Sequence, residues 1–256
     1  MSAGTIHTCA LDVDGRILCW GSDQYGQATA PAGEWSGVSA GGDHSCAVSV
    51  SGEIACWGDD ADGTTAAPEG NFEQVSSGRW HSCALDGAGE VRCWGLDDGG
   101  RLEHPDGRYV QVSAGGDRSC ALTDQGEVRC WGLDLGAPFE GTFVSVSAGH
   151  GYSCALVADG TARCVGVFEL GQPVEPPEGS FHQLSTAPGH ACGLDDGGLI
   201  RCWGREECWG WLPPLGRFVQ VSAGGCHTCA VDGRGRVACW GWDHHGESTP
   251  PGAPDR

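Results

Sequence analysis

Short runs in which apolar or small residues alternate with polar ones recur along this chain at a fixed interval. In Val110-Gln111-Val112-Ser113-Ala114 every second position is apolar or small, the two-residue period of an extended strand with one face turned inward. Ser119-Cys120-Ala121-Leu122 and Val128-Arg129-Cys130-Trp131 predict two more strands. Between them, Thr123-Asp124-Gln125-Gly126 has hairpin-turn chemistry, with glycine free to take positive φ. A short fourth strand is predicted ahead of each Pro/Gly turn, as in residues 27–30. No segment carries the period of an amphipathic helix.

The same pattern is written seven times. Fourteen of the sixteen cysteines form pairs ten positions apart: Cys9/Cys19, Cys46/Cys56, Cys83/Cys93, Cys120/Cys130, Cys154/Cys164, Cys192/Cys202 and Cys229/Cys239. Successive pairs begin 37, 37, 37, 34, 38 and 37 residues on, so one supersecondary unit is copied without room for linkers. Four strands in each of seven copies predict an all-β, seven-bladed β-propeller, whose radial repetition leaves only short sheet edges. Residues 1–256 are read as a single domain. Met1-Ser2-Ala3-Gly4 matches only the tail of a first strand. Either the first blade has a clipped strand, or the chain is excised from a longer one; how the ring closes is not evident.

Across a hairpin, each cysteine pair falls on directly opposed positions within disulfide reach, predicting one intra-blade disulfide per blade. Structural zinc sites use closely spaced C-x2-C pairs, two per ion, and a ten-residue separation does not supply them. Cys208 and Cys226 remain. They lie on turns of adjacent blades on the same face, which predicts an eighth disulfide. Disulfides persist in oxidising compartments, so an extracellular, periplasmic or cell-surface location is expected. Met1-Ser2-Ala3-Gly4 has neither basic flank nor apolar stretch, so no signal peptide is expected here.

Aligned on the cysteines, the copies read F-x-Q-V-S-A-G-G-x-H-S-C-A-L-x-x-x-G-x-V-x-C-W-G-x-D, as in Phe72 through Gly95. This resembles the repeat of the regulator-of-chromosome-condensation family, specifically its short bacterial-type repeats, and implies a seven-bladed propeller. The resemblance implies that His7, His44, His81, His190 and His227 are structural, tying a turn by hydrogen bonds, rather than metal ligands. Arg118 and Tyr152 replace this histidine in blades four and five. Val165 replaces the tryptophan found at Trp20, Trp57, Trp94, Trp131, Trp203 and Trp240. The exchange-factor activity known in the family depends on a wedge-like insertion, for which the 34–38 residue spacing leaves no room.

Charge narrows the partner. With 34 acidic against 14 basic residues, the net charge of −20 repels phosphate backbones and anionic membranes. No apolar run approaches the ~18 residues of a membrane span. Asp23, Asp60, Asp97, Asp134, Glu206 and Asp243 follow Trp-Gly at one offset, where turn capping explains them as well as a cation or basic-partner site does. No G-x-S-x-G, H-E-x-x-H or P-loop motif is present, and paired cysteines leave no thiol nucleophile.

Most individual are the aromatics that do not repeat. Trp80, Phe168, Trp209, Trp211 and Trp242, with Arg118 and Tyr152, fall on turns expected on one face, where large aromatics serve as binding anchors. The expected function is therefore a non-catalytic, monomeric, protein-binding propeller that needs no cofactor and neither enters membranes nor binds nucleic acid. A glycan-binding lectin using the same tryptophans, and a metal-dependent or redox enzyme, are the alternatives.

Overall fold

A computed structural model describes residues 1–133, 137–167, 174–205 and 212–252. Seven antiparallel sheets follow one another round a ring, and in each the spatial order of the strands is their chain order. Blade one holds β1 (Ser2–Ala3), β2 (His7–Leu11) and β3 (Ile17–Gly21). Blade two holds β4 (Trp35–Ala40), β5 (His44–Ser49) and β6 (Ile54–Gly58); blade three, β7 (Phe72–Ser77), β8 (His81–Asp86) and β9 (Val91–Gly95). Blade four holds β10 (Tyr109–Ala114), β11 (Arg118–Thr123) and β12 (Val128–Gly132); blade five, β13 (Ser145–Ala148), β14 (Tyr152–Leu156) and β15 (Ala162–Gly166). Blade six holds β16 (Gln183–Thr186), β17 (His190–Leu194) and β18 (Ile200–Gly204); blade seven, β19 (Phe218–Ala223), β20 (His227–Asp232) and β21 (Val237–Gly241).

Each blade has three strands among the described residues, not four. The expected outer strand fails for a local reason. In residues 27–30 the chain turns under Asp23, whose carboxylate accepts the Ala28 amide at 2.8 Å and the Thr29 hydroxyl at 2.8 Å. The Gln27 carbonyl meanwhile accepts the Trp57 indole N–H at 2.9 Å, across the blade boundary. The same bond runs from Trp94 to the Thr64 carbonyl (2.9 Å), from Trp131 to Arg101 (2.8 Å) and from Trp20 to Glu247 (3.0 Å). A segment whose polar groups are taken by caps and by a neighbour's indole has little left for a strand ladder. In blades one to four the repeated tryptophan is thus both packing and inter-blade clasp, whereas the buried indole N–H groups of Trp203 and Trp240 make no such bond. Trp94→Phe keeps most of the apolar contact but leaves a carbonyl unpaired, and is expected to cost about 1–3 kcal/mol in urea unfolding; an unchanged midpoint would dismiss the clasp.

Among the described residues, the ring is closed by side-chain hydroxyls and by contacts between glycine turns, not by a borrowed strand. On the innermost strands the Ser2 hydroxyl accepts the Ala40 amide (3.0 Å), Ser39 that of Ser77 (2.8 Å), Ser76 that of Ala114 (2.9 Å) and Ser113 that of Ala148 (2.9 Å). Ser147 accepts from Thr186 (3.1 Å), Ser185 from Ala223 (2.9 Å), and Ser222 from Ala3 (2.9 Å), which brings blade seven back to blade one. The short strand β1 meets blade seven through Ala3 and through its neighbour Met1, whose carbonyl accepts the Gln220 side-chain amide at 3.2 Å. The Gly-Gly of the repeat allows backbones of neighbouring turns to touch. The Thr5 amide donates to the Gly41 carbonyl and the Gly225 amide to Gly4, each at 2.9 Å, and a Cβ at Gly41 would lie 2.5 Å from the Gly78 carbonyl oxygen.

The seven ten-residue cysteine pairs are all disulfides: Cys9–Cys19, Cys46–Cys56, Cys83–Cys93, Cys120–Cys130, Cys154–Cys164, Cys192–Cys202 and Cys229–Cys239. Their partners oppose one another directly on the second and third strands, with Cα atoms 4.0–4.1 Å apart. The two sulphurs of a pair are not equally covered. The second-strand cysteine is fully buried in every blade. On the third strand, Cys19, Cys56, Cys93, Cys130, Cys164 and Cys202 are only half-buried, whereas Cys239 is buried. Cys19 on β3 is thus linked as its spacing predicts, but it sits nearer the outer edge of its blade than Cys9. No described cysteine is free, and Cys226 is disulfide-bonded. Its expected partner, Cys208, lies outside the described residues.

Candidate functional site: the turn face

Each blade joins its two turns at one end of the sheet by a single backbone bond. The residue after Trp-Gly (Val-Gly in blade five) donates its amide to the carbonyl of the residue before the histidine position: Ser22 to Ile6, Asp59 to Asp43, Leu96 to Trp80, Leu133 to Asp117, Val167 to Gly151, Arg205 to Gly189 and Trp242 to Cys226, at 2.8–3.1 Å. Strand 1–2 turns and the turns leaving strand three therefore share one face. The bond also identifies two positions per blade that this face carries and that the repeat leaves free to vary.

Read round the ring, those variable positions are not uniform. Blade two presents Asp43 and Asp59. Blades three to five present Trp80, Leu96, Leu133 and Val167, an apolar arc in which Leu133 is 37% and Val167 47% exposed. Trp80 is half-buried, with the Arg79 guanidinium 4.8 Å above its ring. Beside the arc, Arg101 is buried and bonds Asp117 at 2.8 Å, while His150 reaches the other oxygen of Asp117 at 3.3 Å. Burial, and then repulsion from Asp59, raise the Asp43 carboxyl above its usual range, with Arg79 opposing both. In blade seven, Trp242 is 47% exposed and meets His244 edge-on at 5.2 Å.

The expected anchors do not all belong to this surface. Arg118 and Tyr152 are completely buried, which corrects their assignment to an exposed patch. They stand in the repeat's histidine position, and that position points between blades. Tyr152 sends its hydroxyl to the carbonyls of Ala187 (2.8 Å) and His190 (2.6 Å) in blade six. Its phenol is accordingly pushed well above the usual range by burial. Trp80 and Trp242 are on the face, but blade six separates Trp242 from the arc. Phe168, Trp209 and Trp211 lie outside the described residues, as do Leu170, Asp134 and Glu206. Leu96, Leu133 and Val167 escape a reading of the sequence that looks for large aromatics. Their common offset after Trp-Gly or Val-Gly was the signal that could have found them.

The other recurring polar groups are consumed structurally. His7 shares a hydrogen bond with Ser45 (2.7 Å), His44 with Ser82 (2.8 Å), His81 with Ser119 (2.7 Å), His190 with Thr228 (2.7 Å) and His227 with Thr8 (2.8 Å), always in the next blade. Asp60 caps the Thr65 amide (3.0 Å) and Asp243 the Ser248 amide (2.8 Å), so the row of acidic residues is turn capping where it is described. The intra-blade disulfides, from Cys9–Cys19 to Cys229–Cys239, lie within the sheets and are cross-links of the scaffold, not parts of the turn face. Among the described residues, no cluster of three or more His, Cys, Asp or Glu side chains is arranged to hold a metal. At the ring axis the glycine turns line an open hollow of about 70 Å³, too small for more than a few waters.

Seven like sheets, clasped edge to edge round an axis and bearing variable turns on one face, define a repeat-built β-propeller. The profile of the regulator of chromosome condensation (RCC1) repeat matches residues 1–27, 35–64, 72–101, 109–134 and 218–247, more than half of the chain. The protein belongs to this repeat family. Blades five and six fall outside the match, where Tyr152 and Val165 depart from the pattern. No curated protein sequence matches significantly. Among solved structures, the ectodomain of the Physcomitrella patens receptor kinase CR4 is 25% identical at a TM-score of 0.80, covering 94% of this chain and 72% of that one. The CRINKLY ectodomain of the Arabidopsis thaliana receptor kinase ACR4 is 23% identical at 0.80, covering 99% and 98%. Yeast RCC1 (Prp20), in its complex with Kap60, is 17% identical at 0.71, covering 88% and 77%.

Proposed function

We propose that this protein is an exported, non-catalytic binding module that grips a protein partner with its turn face. The observation that carries this reading is the apolar arc of Trp80, Leu96, Leu133 and Val167, which fills four of the six variable positions of three consecutive blades, Asp117 and Gly151 filling the other two. Positions free of the repeat's packing duties, yet filled with apolar side chains that are exposed (Leu133, Val167) or half-buried (Trp80, Leu96), are what an interface core uses. The flanking Arg79, Asp117 and His150 supply a polar rim.

Similar structures support a binding role without naming a partner: two are receptor ectodomains, and yeast RCC1 is held in complex with Kap60. Because sites are grafted on folds, the partner cannot be carried over from them. A disulfide in every blade supports an oxidising compartment. A strongly acidic chain suits a partner with basic groups around an apolar centre.

The test compares three baits in affinity capture from the extracellular fraction of the source organism: wild type, Leu133→Asp/Val167→Asp, and Val110→Asp/Val219→Asp. The last pair is also exposed but lies on inner-strand starts away from the arc. A partner should be retained by wild type and by the control pair and lost about tenfold or more with the arc variant. Equal recovery by all three would remove the arc.

A further inference from the structure

Between blades four and five the ring has a position that its own repeat does not fill. In five of the other blades the third-strand tryptophan packs onto the preceding blade's disulfide and the first residue of its outer strand. Trp94 lies with Cys46, Cys56 and Ile54; Trp131 with Cys83, Cys93 and Val91; Trp203 with Cys154, Cys164 and Ala162. Trp240 lies with Cys192, Cys202 and Ile200, and Trp20 with Cys229, Cys239 and Val237. At the same place on β15 stands Val165, opposite Ser153. What the indole would cover on blade four, Val128 and Cys130, instead lines an open cavity of about 350 Å³, together with Pro105, Arg129, Phe139, Val165 and the neighbouring Ala137-Pro138.

That volume lies within the ~300–1,000 Å³ of small-ligand sites. Its wall is mostly apolar, with Arg129 the charged group among the described lining residues, and Phe139 is braced edge-on against Phe143 at 5.3 Å, so the cavity has a fixed side. The blade edge beside it is open as well. Among the described residues β12 pairs only with β11, and Cys130 opposes Cys120 at a Cα separation of 4.0 Å. That is the narrow spacing of a non-hydrogen-bonded pair, which turns the Cys130 N–H and C=O outward along the sheet edge.

We propose that this cavity is a binding pocket for an indole-sized aromatic side chain carried on an extended segment of a partner polypeptide. The occupant is suggested by the fold itself: five times over, the wall formed by a disulfide and an outer-strand aliphatic is covered by a tryptophan, whereas here, among the described residues, only Phe139 packs beside Val128 and Cys130 and the cavity is left over. A strand-like partner segment would pair with the free edge of β12 while its aromatic ring enters the vacancy. The pocket is on the rim between two blades and is separate from the turn face, so it does not depend on the reading of that face.

Methyl-resolved NMR titration tests it, with N-acetyl-tryptophanamide, N-acetyl-alaninamide and a threonine-flanked tryptophan pentapeptide as probes. The tryptophan amide should shift the Val128 and Val165 methyls and saturate with a Kd on the order of 1 mM, as expected of a small apolar fragment. The alanine amide should leave them unmoved, and the pentapeptide should bind about tenfold tighter through the edge. Val165→Trp should melt at a higher temperature and weaken both tryptophan probes by about tenfold or more, read at Val128. Should that variant not fold, Val165→Leu is the half-filling substitute, with a loss of about threefold. Unmoved Val128 and Val165 methyls at about 10 mM tryptophan amide, or unchanged affinity in the filled variant, would overturn the pocket; a pentapeptide no tighter than the amide would overturn the edge pairing.

Discussion

Protein unfolded in denaturant, reduced, alkylated and returned to buffer is expected not to regain the propeller at 25 °C. Each of the seven disulfides closes a ten-residue separation. On the chain-entropy estimate a loop of that size stabilises by about 2.7 kcal/mol, so seven amount to something under ~20 kcal/mol. A chain of this length has a net stability of about 13–38 kcal/mol at ordinary values per residue, and the links are therefore a large share of it. The thin blades make the loss harder to absorb, because each contributes only three short strands. Unfolding before reduction makes both sulphurs of each pair accessible, since in the folded blades the second-strand sulphur is buried and, apart from Cys239, only the third-strand cysteine is partly exposed. Far-ultraviolet circular dichroism against temperature checks the outcome. A reduced protein melting within about 5 °C of the oxidised one would show that inter-blade contacts alone carry the ring.

The second large effect is acid destabilisation beginning near pH 6.5. Burial holds His7, His81 and His227 down to about 3 and His44 and His190 down to about 4, so all five are neutral in the native protein. Their Nε2 atoms are engaged by hydroxyls of the next blade, and in His7, His81, His190 and His227 the Nδ1 atom is buried with no hydrogen-bond partner. A proton there would place a charge where nothing accepts it. In the unfolded chain the same imidazoles take a proton below about pH 6.5. The unfolded state thus binds more protons than the native one as pH falls from 6.5 toward 4, and stability falls with it. Each group contributes at most about 1.4 kcal/mol per pH unit, so five remove up to ~10 kcal/mol between pH 6.5 and 5. Urea midpoints measured from pH 7.5 to 5 should drop steeply, and His81→Gln should reduce the slope by about a fifth. A flat profile over that range would show that the imidazoles can charge in place.

How much of this was visible beforehand differs by feature. The cysteine period and the alternation around it specify three strands per blade, because burial of one sheet face and a fixed cross-link leave no second register. The residues 27–30 resisted the same reading. Their conformation depends on an indole from another blade, and no local pattern records that. Closure was equally hidden, since it rests on Ser2 and Ala3 meeting Ala40 and Ser222 across more than two hundred residues in one direction. Arg118 and Tyr152 were misplaced for a subtler reason. As side chains they look like surface groups, but they occupy a slot whose direction is set by the backbone, and tyrosine can serve it by bonding the next blade's carbonyls. The turn face was legible in outline only: Trp80 and Trp242 stand out by size, whereas Leu133 and Val167 become meaningful once the backbone bond beneath them is known.

One property of the seam reaches beyond stability. The hydroxyl-to-amide bond that joins the seventh wedge to the first uses the same atoms as the six internal joints, so the circle holds no privileged beginning. A break at an exposed loop between any two wedges would leave every such joint available, as surface loops with few contacts commonly permit. A linear polypeptide has here assembled an object that geometry treats as endless.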